Sequence, residues 1–142
     1  MPDPMYAEVR RAADFPLGPA SEVFTGLPAA ELHELASALR LVAIEADTDI
    51  VRLDDHGAGL YLVQAGEADV ISSDGEALRT LGRGDTFGEI ELLLTGQWTA
   101  TIVARTQMRL LSLSGQDFET IRTRVPALER ALRRRALERA NL

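Results

Sequence analysis

The stretch GDTFGEIELLLTGQWTATI, Gly84 to Ile102, decides how this chain is read. It follows a strand-like run ending at Leu81, turns at Gly82-Arg83-Gly84-Asp85 and passes through Phe87-Gly88-Glu89. A short apolar turn comes next (Ile90, Leu92, Leu93, Leu94), then a break at Thr95-Gly96 and an alternating run from Thr99 to Val103. The order is strand, glycine turn, helical turn, loop, strand. A glycine just ahead of a helical turn lets backbone approach a ligand closely, and the free N–H groups there attract an anion.

The fifty residues before this stretch have a period of two. Leu41 to Ile44, Asp49 to Leu53, Leu60 to Gln64, Ala68 to Ser72 and Ala77 to Leu81 are short alternating or β-branched runs. Asp47-Thr48, Asp54-Asp55-His56-Gly57, Ala65-Gly66 and Ser73-Asp74-Gly75 separate them, and Asp74-Gly75 is the strongest hairpin signal. Short strands at regular spacing with tight turns predict an antiparallel sandwich or jelly roll.

Helices flank this β region. Leu32, Leu35, Ala36 and Leu39 share one face of a helix predicted over 29–39, with His33 on its polar side. After a last pair of strands, Thr99 to Arg105 and Met108 to Ser112, the Ser114-x-x-Asp117 pattern caps a helix bearing Phe118, Ile121 and Val125. Pro126 opens a final helix with an apolar stripe of Leu128, Leu132, Ala136 and Ala140, and Leu137 beside it. Residues 1–20, with four prolines and a possible short helix from Tyr6 to Ala13, read as an N-terminal lead-in. Residues 21–142 read as one domain: helix 29–39, β-roll 41–113 with the 84–102 cassette, and C-terminal helices over 115–142. The fold class is α+β, mainly β.

Phe87-Gly88-Glu89-Ile90, followed after a gap by Thr99-Ala100-Thr101-Ile102, resembles the phosphate-binding cassette of the cyclic-nucleotide-binding domain family, with its catabolite-activator-like β-roll. Ile50, Asp55, Gly57, Leu60, Tyr61 and Gly66 also fall in register with the run that leads that β-roll, and the resemblance extends over roughly Phe24 to Leu142. Two of the family's glycines are replaced by Asp47 and Asp54. Aspartate tolerates left-handed backbone better than most residues, so the fold survives these changes.

The resemblance implies roles residue by residue. Gly88 presents its N–H to a cyclic phosphate, Glu89 accepts the ribose 2′-OH, and Ile90 and Leu92 pack behind the cassette. Thr99 stands where cyclic-GMP-preferring members carry a Thr or Ser. The candidate site is Phe87, Gly88, Glu89, Ile90, Trp98, Thr99 and Ala100. The departures are as informative: the family's phosphate-pairing arginine falls on Trp98, the proline before it on Gln97, and the alanine after the Glu-hydrophobic pair on Glu91. A guanidinium grips phosphate bidentately, whereas an indole offers one neutral donor. Losing one side of a buried charge pair costs about 2–5 kcal/mol, or roughly 30-fold to a few thousand-fold in affinity. Cyclic AMP or cyclic GMP is therefore expected to bind weakly or not at all, unless Arg83 or Arg105 substitutes.

Inventory narrows the alternatives. There is no cysteine, and His33 and His56 lie in a helix and a turn, which argues against a cupin-type metal site and against thiol chemistry. No serine sits in a nucleophile elbow. Glu89 and Glu91, two apart on a helical turn, point in different directions and make no acid–base pair, and Glu91 is expected at the surface. The reading is non-enzymatic, with no catalytic residue, no metal and no cofactor. The net charge of −7 argues against nucleic-acid and lipid partners. Five arginines against two glutamates give Pro126 to Leu142 a charge of +3, leaving −10 for the first 125 residues. No apolar run is long enough to span a membrane and no signal peptide is evident, so a cytoplasmic location is expected. Family regulators place a DNA-binding motif after the last long helix, and none is expected before Leu142.

Two functions remain. One is a sensor that binds a cyclic nucleotide or related anionic ligand and shifts its C-terminal helices. The other is a degenerate domain, its pocket filled by Trp98, that acts as a protein-interaction or homodimerisation module through its last, arginine-rich helix. That helix otherwise reads as a solvated face over the core.

Overall fold

A computed structural model describes residues 26–53 and 59–140. The proline-rich lead-in with its short helix at Tyr6 to Ala13, and the turn at Asp54 to Gly57, lie outside these residues. In chain order the elements are α1 (Ala29–Ala38), β1 (Arg40–Ile44), β2 (Asp49–Val51), β3 (Gly59–Ala65), β4 (Ala68–Ile71), β5 (Ala77–Leu81) and β6 (Thr86–Phe87). A widened helical turn (Glu91–Thr95), β7 (Thr101–Ala104), β8 (Met108–Ser114), α2 (Gly115–Ile121), a 3₁₀ turn (Arg122–Arg124) and α3 (Pro126–Ala140) follow.

The strands form two four-stranded antiparallel sheets, in the order β1-β8-β3-β6 and β2-β7-β4-β5. This is the expected jelly roll flanked by helices. The middle strands of the first sheet, β8 and β3, pack on both faces, and strand alternation explains how. Leu60 and Leu62 of β3, with Leu111 and Leu113 of β8, face the helices and pack with Leu32, Leu35, Phe118, Ile121, Leu128 and Leu132. Their neighbours Val63, Met108 and Leu110 face the second sheet and pack with Val70, Leu81, Phe87, Trp98, Ile102 and Ala104. Each such aliphatic side chain contributes about 1.5–3 kcal/mol of transfer free energy. The sandwich is therefore the platform on which the helices are held.

Local chemistry sets the element ends. Asp47 adopts φ +65°, the left-handed backbone expected where an aspartate replaces a turn glycine, and its N–H donates to the Ala104 carbonyl at 2.7 Å. Ser114 Oγ accepts from the Asp117 N–H at 3.0 Å and starts α2. Pro126 is the first residue of α3, where a missing N–H costs nothing.

Two expectations need correction, and one short strand is added. The strand read from Thr99 begins only at Thr101, whose Oγ1 accepts from the Leu53 N–H at 3.0 Å; Thr99 and Ala100 stay in the preceding loop. Thr86-Phe87, given no element in the sequence reading, is a two-residue strand against Tyr61 and Leu62. In α3, Leu128, Leu132 and Ala136 are buried as predicted, but Ala140 is exposed. No helix of the described residues is long and apolar enough to cross a membrane.

Candidate functional site

Gly88 joins β6 to the helical turn at φ +99°. A Cβ there would collide with the Gly59 carbonyl oxygen and come within 3.2 Å of Trp98 Cη2. Only glycine fits, both for its backbone angle and for the close approach of β3. This fixed crossing sets where Glu89 starts its turn. The turn then widens: the Leu92 N–H reaches Gly88 O at 2.8 Å, and the Gly96 N–H reaches back five residues to Glu91 O at 2.8 Å. Gly96, at φ +70°, closes it.

Phe87, Gly88, Glu89, Ile90, Trp98, Thr99 and Ala100 all line one cavity of about 330 Å³. Val70, Leu78, Arg79, Glu91, Ile102 and Arg139 complete its wall. Its volume and largely apolar lining lie in the range of small-molecule sites. Trp98 is 4% exposed and closes the floor of an aromatic cluster: its ring centroid lies 6.3 Å from Phe87, edge-on, and 6.2 Å from Tyr61, while Tyr61 and Phe87 stack at 4.9 Å. Thr99 is exposed at the mouth. Leu92, expected behind the cassette, packs against the helical core, whereas Ile90 faces the cavity.

Glu89 is fully buried, and its two oxygens differ. Oε1 is held by the Arg139 guanidinium, with Arg135 Nε at 3.4 Å. The same two arginines bond Thr86: Arg139 Nη1 donates to its carbonyl at 2.9 Å, and Arg135 Nε to its hydroxyl at 3.0 Å. Oε2 is buried with no hydrogen-bond partner among the described residues. Such an oxygen is costly to leave unmet, and it lies in a residue that lines the cavity.

Glu91 corrects the sequence reading. Expected at the surface and turned away from Glu89, it is 7% exposed and lines the same cavity. Loss of solvent pushes its carboxyl pKa upward; its own backbone N–H offsets part of that, and the neighbouring Glu89 adds to it. The helical turn is covered on more than one side, so both directions lead inward. Arg79 of β5 also reaches the cavity. Burial and the nearby Arg139 lower its pKa, while Glu89, Asp85 and Glu91 act the other way, and it remains a cation.

Arg83 and Arg105, expected from the sequence as alternative phosphate partners, are not among the lining residues; Arg105 pairs with Asp69 at 3.4 Å. The cations brought to the cavity are Arg79 and Arg139 instead. Arg79 was detectable: in β5 it alternates with buried Leu81 and pairs with buried Val70, so it shares their face. Arg135 and Arg139 are one helical turn apart on the last helix, and that spacing alone could have singled them out as a pair. They correct the view of this helix as a solvated face.

Comparison with known proteins agrees with this architecture. The cyclic nucleotide-binding domain profile matches residues 41–124. A cyclic nucleotide-gated potassium channel of Rhizobium etli is 33% identical over 137 residues, covering 94% of this chain and 38% of the channel. The catabolite activator protein of Thermus thermophilus superposes with a TM-score of 0.74 at 28% identity, over 84% of this chain and 58% of that one. The regulatory subunit of a cAMP-independent protein kinase A from Trypanosoma cruzi, solved bound to guanosine, superposes with a TM-score of 0.72 at 26% identity, over 88% and 43% of the two chains. The chain spans between 24% and 38% of the first curated relatives it matches. With its profile match, its two-sheet roll and its glycine-dependent cassette, the chain belongs to the cyclic nucleotide-binding domain family.

Proposed function

We propose that this chain is a non-enzymatic sensor module that takes a cyclic nucleotide or a closely related ribose-bearing ligand in the cavity lined by Phe87, Gly88, Glu89, Ile90, Trp98, Thr99 and Ala100, and relays occupancy to α3. The observation that carries the reading is the divided state of Glu89. Its Oε1 is tied to Arg139 on the last helix, and its buried Oε2 lacks a partner in a residue that lines the cavity. A ligand hydroxyl donating to Oε2 draws charge from the carboxylate and weakens its hold on Arg139. One side chain thus gives the ligand a different affinity for the two positions of α3, which is what a switch requires.

Trp98 stands at the position of the family's phosphate-pairing arginine, so the phosphate loses its strongest partner. The trypanosomal relative solved with guanosine adds nucleosides to the compounds worth testing here. Titration of cyclic AMP, cyclic GMP, cyclic dinucleotides, adenosine and guanosine, followed by Trp98 fluorescence and by calorimetry, checks the reading. Saturable binding of any of them, lost in Glu89→Gln, is the expected result. No response to any up to millimolar overturns it.

A second reading is favoured by the depth of Trp98 in the core and by the exposure of Leu137 on α3 at 47%. In it the cavity is a relic and α3 pairs with a partner protein or a second copy. Sedimentation of the chain and of Leu137→Glu separates the two: a dimer that the variant dissolves, together with silent titrations, selects this second reading.

A further inference from the structure

We propose that the cavity selects an uncharged nucleoside and turns away its cyclic-phosphate form, with Glu91 as the excluding group. The proposal rests on the reading of Glu89 as the acceptor of a ribose hydroxyl.

The charge inventory is the first argument. The lining residues supply two carboxylates, Glu89 and Glu91, and two guanidinium groups, Arg79 and Arg139, so the lining carries no excess cation; Arg135, outside it, bonds the Thr86 hydroxyl and lies 3.4 Å from Glu89. Arg139 is already bonded to Glu89 and to the Thr86 carbonyl. Arg79 stands within electrostatic reach of Glu89, Asp85 and Glu91. A cyclic phosphate would add a negative charge to a cavity whose cations already face carboxylates, and position 98 gives it an indole instead of a guanidinium.

Glu91 is the second argument. Its side chain is nearly excluded from solvent and lines the cavity together with Glu89. It lies three residues after the glycine that lets backbone approach closely, so an internal carboxylate stands in the space an incoming anion would enter. Two anions cannot share one desolvated cavity without a large electrostatic cost.

What the cavity offers matches a neutral ligand. Glu89 Oε2 needs a hydrogen-bond donor, which the ribose 2′-hydroxyl of either form provides; a nucleoside adds free 3′- and 5′-hydroxyl donors toward the carboxylates where its cyclic form carries only phosphate oxygens. The apolar wall of Phe87, Trp98, Ile102 and the exposed Leu78 suits the flat face of a base. The exclusion comes from one side chain and is removable.

Calorimetry with guanosine, adenosine, cyclic GMP and cyclic AMP on the whole chain, on Glu91→Ala and on the shape-preserving Glu91→Gln tests this, with thermal unfolding as the check on folding. At least one nucleoside is expected to bind ten-fold or more tightly than its cyclic phosphate, and both variants should narrow that ratio by strengthening the cyclic form. A cyclic nucleotide that binds the unaltered chain more tightly than its nucleoside overturns the inference and leaves the sensor reading standing. A preference that neither variant changes overturns the role of Glu91. Silence from all four compounds overturns the inference together with the sensor reading.

Discussion

Two buried carboxylates hold the two ends of one helix, and they hold them differently. At the start of α3, Glu31 of α1 accepts from the backbone N–H groups of Ala127 at 3.0 Å and Leu128 at 3.1 Å, through a single oxygen. These donors cannot move without unwinding the helix, and Leu128 and Leu132 beside them are fully buried. Toward the far end, Glu89 holds Arg139, a long side chain that can let go while the helix stays whole. Its cavity-facing residue also keeps one oxygen unmet. On the proposed sensor function the first attachment serves as a pivot and the second as a releasable grip. A helix tied in this way has a permanent end and a conditional one.

The comparison can be broken most severely at Gly88. Gly88→Ala forces a side chain into left-handed backbone and into the Gly59 carbonyl, and is expected to cost about 3 kcal/mol or more. Urea unfolding measures the loss. Hydrogen exchange should rise in residues 135–140 while residues 127–132 stay protected, because only the grip has lost its anchor.

Glu31→Ala attacks the other end. It leaves two helix N–H groups without their acceptor and should cost about 1–3 kcal/mol, with protection lost first at Ala127 and Leu128. Equal loss of protection at both ends would erase the distinction between pivot and grip.

Arg139→Met sharpens it. Arg135 remains near Glu89, so the expected cost is smaller, about 1–2 kcal/mol. Reciprocity then requires that any ligand opposed by this grip bind about five-fold or more tightly to the variant, read by the same calorimetry.

The smallest effect belongs to Glu91→Gln. The folded-state pKa of Glu91 is raised, mainly by burial, so the folded protein binds the extra proton and loses stability as pH climbs from the ordinary glutamate range through that raised value. The glutamine variant should melt like the parent in acid and slightly above it at neutral pH. A gap that widened toward low pH would contradict the burial of this carboxylate.

What the sequence disclosed followed the reach of each signal. Alternation in β3 and β8, the left-handed Asp47 and the Ser114 cap are local, and so is the continuous cassette that brings Phe87 to Ala100 to one cavity. The arginines of α3 come from fifty residues away, and Glu31 acts across almost a hundred. No periodicity encodes such pairings. Glu91 misled for a different reason. Two positions apart on a turn do point apart, but α3 lies on one side of this turn and Arg79 of β5 comes from another, so neither direction reaches solvent.

Val125, between the 3₁₀ turn and α3, has φ −128° and ψ 54°, outside helical backbone. From there to Arg139 the helix runs roughly 20 Å at its standard rise. A swing of about 10° at this joint displaces the guanidinium by about 3–4 Å, more than a hydrogen bond can stretch. On the proposed sensor function the molecule would be geared: a sub-ångström adjustment beside Pro126 would become an all-or-none event at the tip.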